Sequence, residues 1–295
     1  MKKSTLIIGA AALTAAGCYL YSRTRKQPDH RRKTVLITGA SSGLGTEFAR
    51  IFAQHGFDIV LTARNQDKLD ALAYELEQGS GIQTWVIPAD LSDAYGAEQL
   101  YDAVKEKGLV IDQLVNNAGA GLHGTTTDTD PAAMDRLLEL NVGSVTRLCR
   151  LFGQDMVKRG SGRILNVSSI GAFGPDPQFN VYGPSKAFEL RLSETMYGEL
   201  FGTGVSVSAL CPGPTKTQWA RRAGKADSHF AADPYDVALA GFEGMQKGQL
   251  VIVPSGTLKA GMVFFRCLPV KLRAVLSSVW QKSLIHKQTK LEKSH

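Results

Sequence analysis

Tyr182 and Lys186 stand four residues apart in the stretch Tyr182-Gly183-Pro184-Ser185-Lys186. On a helix that spacing puts both side chains on one face. A phenol ordinarily ionises near pH ~10, too high for proton transfer at neutral pH. A cation held beside it stabilises the phenolate and lowers that value. The pair therefore suits a tyrosine acting as general acid or base. Taken alone, the same spacing also describes a solvated helix pair, so its meaning rests on the elements upstream.

Those elements begin at Thr34-Val35-Leu36-Ile37-Thr38, a β-branched run predicted to be a buried strand. Leu44, Phe48, Ile51 and Phe52 then carry helical spacing as far as Gly56. Between strand and helix lies Gly39-Ala40-Ser41-Ser42-Gly43-Leu44-Gly45. Glycines here let the backbone turn tightly and let a pyrophosphate approach the helix N-terminus, where N–H groups point outward. A glycine-rich turn without a ligand is the plainer alternative. The second strand, residues 57–62, ends at Ala63-Arg64-Asn65. An acidic residue at this tip would bind the ribose hydroxyls of NAD. Arg64 stands there instead, and a guanidinium suits a 2′-phosphate, which favours NADP(H) over NAD(H).

Residues 66–78 are predicted as a helix and Thr84 to Pro88 as a third strand, followed by Ala89-Asp90-Leu91. Asp90 reads either as a ligand contact at a strand end or as a cap for a helix over 94–107. The fourth strand, Ile111 to Val115, runs into Asn116-Asn117-Ala118-Gly119, whose short amides can bond both backbone and ligand. A long helix pattern covers 132–157 and contains Asn141, a mildly unfavourable interior residue. Arg163 to Val167 form the fifth strand, with Ser168 and Ser169 at its C-terminal end, and the Tyr182 helix follows. Val205 to Leu210 form the sixth strand, leading to the turn Cys211-Pro212-Gly213-Pro214-Thr215-Lys216-Thr217. Residues 218–232 are polar and aperiodic, which suggests a mobile lid. Asp233 and Pro234 open another helix as N-cap and N1, and Leu250 to Val253 are the seventh strand. The alternation predicts an α/β fold, a doubly wound parallel Rossmann-type sheet of seven strands in one domain over 34–254, with its ligand beyond the strand C-termini. Every residue singled out above falls at such an end or on the helix beside it.

Composition is ordinary for a globular chain of 295 residues, 43% hydrophobic and 21% charged. The net charge of +7 is concentrated toward the two ends, beside apolar sequence, which suits a membrane surface better than a nucleic acid. Residues 1–33 join an apolar run, Leu6 to Leu20, to a basic linker. The run reads as a short membrane anchor, as a secretory signal, as a lipoprotein processing site at Ala15-Ala16-Gly17-Cys18, or as a docked apolar arm. Basic residues after it favour a membrane-associated chain whose domain faces the cytoplasm. Residues 255–295 form a basic amphipathic helical tail suited to core docking, dimer contact or a membrane surface. Four widely spaced cysteines suggest reduced thiols, with neither a disulfide frame nor a metal site.

Taken together, Thr38-Gly39-x3-Gly43-x-Gly45, Asn116-Asn117-Ala118-Gly119, Asn141, Ser169, Tyr182-x3-Lys186 and Pro212-Gly213 resemble the short-chain dehydrogenase/reductase family over about residues 33–254. The resemblance implies hydride transfer between a nicotinamide cofactor and a carbonyl or secondary alcohol. It implies that Tyr182 exchanges the proton with the substrate oxygen, that Lys186 lowers the tyrosine's pKa and bonds the nicotinamide ribose, and that Ser169 holds the substrate oxygen. Asn141 would support a relay water. Gly39, Ser41, Gly43, Leu44 and Gly45 would line the pyrophosphate site, Arg64 the 2′-phosphate, Asp90 and Leu91 the adenine, Asn117 the ribose, and Thr215 or Thr217 the carboxamide side. Ser169, not Ser168, has the family's separation from the tyrosine, and Pro184, unusual inside the motif, sits where a helix tolerates proline. The resemblance further implies homodimers or homotetramers. With an apolar segment at one end and a basic amphipathic tail at the other, the expected substrate is a lipophilic ketone or aldehyde, steroid-like, retinoid-like or 3-oxoacyl-like. A catalytically silent NADP-binding sensor or scaffold of the same fold is the alternative.

Overall fold

The strand that begins the domain, β1 (Thr34–Thr38), is buried along its whole length. So is its neighbour β2 (Asp58–Thr62), because both carry apolar β-branched residues on two faces, as a strand covered by helices on both sides requires. The structure is a computed structural model that describes residues 31–219, 223, 231–279 and 281. The chain divides at Arg32, and the fold below is that of the unit from Lys33 to His295; the expected N-terminal apolar segment lies outside the described residues.

Between β1 and β2 runs α1 (Leu44–Gln54). Then follow α2 (Gln66–Ser80), β3 (Thr84–Val86), α3 (Gly96–Glu106) and β4 (Gln113–Asn116). The second half adds α4 (Pro131–Leu138), α5 (Ser144–Arg159), β5 (Gly162–Val167), α6 (Tyr182–Glu199) and β6 (Val205–Leu210). It closes with α7 (Pro234–Gln246), β7 (Val251–Ile252) and α8 (Gly256–Cys267). All pairings are parallel and the strand order is β3-β2-β1-β4-β5-β6-β7. The order reverses between β1 and β4, and ligands of such sheets bind beyond the strand ends at that crevice.

Two apolar layers pack the sheet. On one face Phe48, Ile51 and Phe52 of α1 meet Phe242 and Met245 of α7. On the other, Leu100 and Val104 of α3 meet Leu148, Phe152 and Met156 of α5. Asp233 caps α7 by accepting from the Tyr235 N–H at 2.9 Å, with Pro234 at N1.

The expected helix over 132–157 runs unbroken from Pro131 to Arg159 but contains a π-helical turn, Glu139–Gly143, between α4 and α5. The apolar periodicity runs on through it, which is why the sequence does not announce the turn. The extra residue of a π turn rotates one side chain into the fold, and here that side chain is Asn141, fully buried.

Candidate active site

The glycine loop is built around Thr38. Its hydroxyl accepts from the N–H groups of Asn117 and Ala118, both at 2.9 Å, and joins the end of β1 to the end of β4. Asn117 returns the contact, donating to the carbonyls of Thr38 at 2.9 Å and Gly39 at 3.3 Å. Gly39 and Gly43 have φ of 68° and 59°, the left-handed region that glycine enters without strain. A Cβ on Gly45 would sit 2.2 Å from the Gly39 carbonyl oxygen, so only glycine lets α1 start this close to the turn. No side chain caps α1. Its first N–H groups therefore face the loop as a site for an anion. Thr217 lies against Gly43 across this loop, and the Thr215 hydroxyl donates to the Gly213 carbonyl at 3.0 Å.

Arg64 is exposed at the tip of β2. Asp90 at the end of β3 accepts from the N–H and hydroxyl of Ser92 at 3.0 and 2.6 Å. Burial opposes ionisation of Asp90, but the two Ser92 bonds and the Arg64 charge outweigh it and hold the carboxyl below its ordinary range. Asp90 does not cap α3, whose N-cap is Tyr95 with no side-chain bond. It closes a turn that puts its carboxylate within the field of Arg64. The Leu91 side chain is in the core beside α3 and α5, which leaves its backbone as the group it can offer an adenine.

The second half of the site hangs on α6. Tyr182 is its first residue and is 8% exposed. Ser169 Oγ accepts from the Gly171 N–H at 3.1 Å, and its hydroxyl is near enough to the phenol to favour the phenolate. Ser168 is turned away, its hydroxyl donating to the Lys186 carbonyl at 2.7 Å. Asn141 bonds Ala120 twice, accepting from its N–H at 3.0 Å and donating to its carbonyl at 2.9 Å. It also donates to Ser185 Oγ at 3.0 Å. A Cβ on Gly119 would approach Lys186 Nζ to 3.2 Å and Asn141 Oδ1 to 3.4 Å, so this glycine gives both groups their room.

Lys186 does not stand as the sequence leads one to expect. Its ammonium donates to the Val167 carbonyl at 2.9 Å and to both oxygens of Glu189, at 2.8 and 3.0 Å. All three partners lie on the sheet side, and Nζ is 6.0 Å from the centre of the Tyr182 ring. Burial raises the Tyr182 pKa above the ordinary phenol value; the Ser169 bond works against this, and the charges of Glu189 and Asp176 add to it. In this structure the Lys186 ammonium is bonded to Glu189 and Val167, not to the phenol.

Three further residues at the site carry no sequence signal. Trp219 and Phe179 flank the tyrosine, with ring centres 4.9 and 6.0 Å away. Glu189 looks from sequence like an ordinary surface partner three residues after a lysine. In the expected lid the described residues dock: the Ala223 N–H donates to the Trp219 carbonyl at 2.9 Å, and the Ala223 carbonyl accepts from the His123 N–H at 3.1 Å. Residues 220–222 and 224–230 of that stretch lie outside the described residues.

Residues 33–228 match the family model described as short chain dehydrogenase. The chain belongs to the short-chain dehydrogenase/reductase family. A family member from Sphingobium yanoikuyae, solved in complex with NADPH, superposes with a TM-score of 0.73 at 34% identity, covering 78% of this chain and 90% of that one. "Probable oxidoreductase EphD" of Mycobacterium tuberculosis is 38% identical over 184 residues. The match covers 62% of this chain and spans 31% of the mycobacterial relative's length. "Very-long-chain 3-oxoacyl-CoA reductase" of Anas platyrhynchos is 32% identical over 183 residues, covering 60% of this chain and 58% of the relative. Within this family frame the residues present fit a nicotinamide dinucleotide. The uncapped α1 terminus and glycine turn suit its pyrophosphate, and Arg64 is open to a phosphate beyond it.

Proposed function

We propose that the protein is an NADP(H)-dependent oxidoreductase that reduces a lipophilic ketone or aldehyde at a membrane surface. The observation that carries the reading is the meeting of Tyr182, Ser169, Lys186 and Asn141 beyond β4 and β5, opposite the glycine turn. When bound, the nicotinamide supplies the hydride. Tyr182 gives its hydroxyl proton to the carbonyl oxygen, and Ser169 steadies that oxygen by a second hydrogen bond. Lys186 supplies the positive charge that makes the phenolate left behind tolerable. Asn141 spends both amide hydrogens on Ala120 and Ser185, leaving an Oδ1 lone pair to hold a water that returns a proton. Trp219 and Phe179 keep bulk water from the phenol. Arg64, with no acid beside it at the β2 tip, supports NADP(H) over NAD(H).

The substrate class and the membrane reading rest on α8 and on the helix that follows it over residues 270–279. Leu258 and Phe265 of α8 lie against Gly213 and Gly174, and Arg273 donates to the Phe173 carbonyl at 3.4 Å. These helices therefore sit on the segment that follows Ser169, which supports substrate entry beside them. Outward they show Phe264, 71% exposed, with Val270, Leu272, Val275, Leu276 and Val279. Exposed Lys259 and Lys271 accompany them, and residues 244–291 contain no Asp or Glu. An apolar face rimmed only by cations suits an anionic bilayer. Among the described residues no helix is long and apolar enough to cross a membrane, so the tail would lie on it. A carbonyl compound dissolved in the bilayer would enter beside these helices. The very-long-chain reductase of Anas platyrhynchos, by name a lipid enzyme, supports that substrate class.

One observation favours the silent-sensor reading, namely the pairing of Lys186 with Glu189. NADPH oxidation by the full chain in membranes, against ketones and aldehydes of rising chain length, separates the two. Turnover that increases with chain length is expected. NADPH binding without turnover across the series would favour the sensor, and failure to bind NADPH would overturn both.

A further inference from the structure

Glu189 is 1% exposed, on the inward face of α6 one turn beyond Lys186. A carboxylate in such a place is costly unless paired and hydrogen-bonded. Its partner is the lysine on which the proposed chemistry depends, and the two bonds to Glu189 plus the one to Val167 occupy all three ammonium hydrogens. Lys186 thus has no donor left for a ribose hydroxyl while this arrangement stands. The helix below is tied down independently, with Ser193 Oγ donating to the Glu189 carbonyl at 2.7 Å and accepting from Asn166 at 2.9 Å. The backbone at Glu189 is thus held, and of the two side chains the longer lysine has the reach to move.

We propose that Glu189 is a positioning residue that holds Lys186 back toward the sheet until a cofactor ribose draws the ammonium off it, so that loading of the site is coupled to protonation of this buried carboxylate. The inference rests on the reading of the site as a nicotinamide-cofactor site. Its charge logic follows from the neighbours. Burial raises the Glu189 pKa to about 7, with the Lys186 charge and hydrogen bonds working the other way. The other titratable groups in its field are Tyr182 on the same helix, Cys149 on α5 and Cys211 after β6. Burial pushes both thiols up to about 12, so neither changes charge near neutral pH. When Lys186 leaves, the attraction that kept Glu189 ionised weakens, and the carboxylate takes a proton from solvent. Protonation also removes a negative charge from beside Tyr182, which lowers the phenol's pKa as the cofactor arrives.

The test is proton uptake on NADPH binding by the full chain, measured calorimetrically at pH 7 in buffers of different ionisation enthalpy. The expected uptake is on the order of half a proton per NADPH beyond that seen with 2′,5′-ADP, which carries the same 2′-phosphate but no nicotinamide ribose. NADPH affinity should accordingly rise about threefold per unit as pH falls through 7, again relative to 2′,5′-ADP. Glu189→Gln should abolish the difference between the two ligands while still binding NADPH. Equal proton uptake for both ligands in the unaltered protein would overturn the proposal without needing the variant to fold. So would a Glu189→Gln protein that keeps the extra uptake. Failure of NADPH to bind the unaltered protein would instead sink the underlying reading of the site.

Discussion

Arg64 shows what a single side chain decides. It stands exposed at the end of β2, with the Asp90 carboxylate in its field but no acid at the β2 tip itself. If it binds a 2′-phosphate, Arg64→Ala removes charge-assisted bonds worth about 1.5–3 kcal/mol, or roughly 10–150-fold in Kd. A fluorescence titration should show NADPH affinity falling by that factor and NADH affinity unchanged. Equal losses for both nucleotides would contradict the assignment. Tyr182 and Lys186 stood out because residues four apart on a helix share a face, whereas Ser169 and Asn141 took their candidate roles from the family resemblance. Glu189 was not. Three residues beyond a lysine, a glutamate on a helix ordinarily faces water, and only the docking of α6 onto β5 and β6 turns it inward. Burial first, and the Glu189 charge with it, raises the tyrosine's pKa in this structure.

At the scale of elements, the strand-to-helix turn is the most constrained feature. Gly45→Ala would drive a Cβ to within 2.2 Å of the Gly39 carbonyl, a clash with backbone that no rotamer relieves. It should lower the Tm and abolish NADPH binding. Gly79→Ala makes the instructive contrast, since that glycine is also helical but its Cβ would meet nothing within 4 Å. It should stabilise the protein by up to about 1 kcal/mol, and thermal denaturation of the two variants beside the parent checks both. Comparable effects in the two would mean that the turn is not the close approach described. Element types and order were readable because both sheet faces are covered and the strands are continuously apolar. The π turn was not, because inserting one residue leaves the apolar pattern of 132–157 intact while swinging Asn141 inward. The amide's three bonds to Ala120 and Ser185 explain why an otherwise poor helix residue stands there.

The whole molecule joins a chemical edge to a greasy, cationic one. The crevice lies between β1 and β4, and the C-terminal helices pack on the segment after Ser169 and turn Phe264, Val275 and Val279 outward. Flotation of the full chain with phosphatidylglycerol vesicles should be weakened by joint Phe264→Glu and Val275→Glu replacement, with NADPH binding unchanged. Undiminished flotation would remove the tail from the membrane account, and a change in oligomeric state would mark it as a subunit contact. The sequence showed that the tail was basic and amphipathic, but not which site it neighbours, since that depends on tertiary docking. Proton donation by Tyr182 is tested by comparing NADPH oxidation by the unaltered chain and by Tyr182→Phe on the best carbonyl substrate of the series. Loss of one hydroxyl should lower kcat by about 100- to 10,000-fold and leave the NADPH Kd unchanged. A variant that retains kcat would contradict the account.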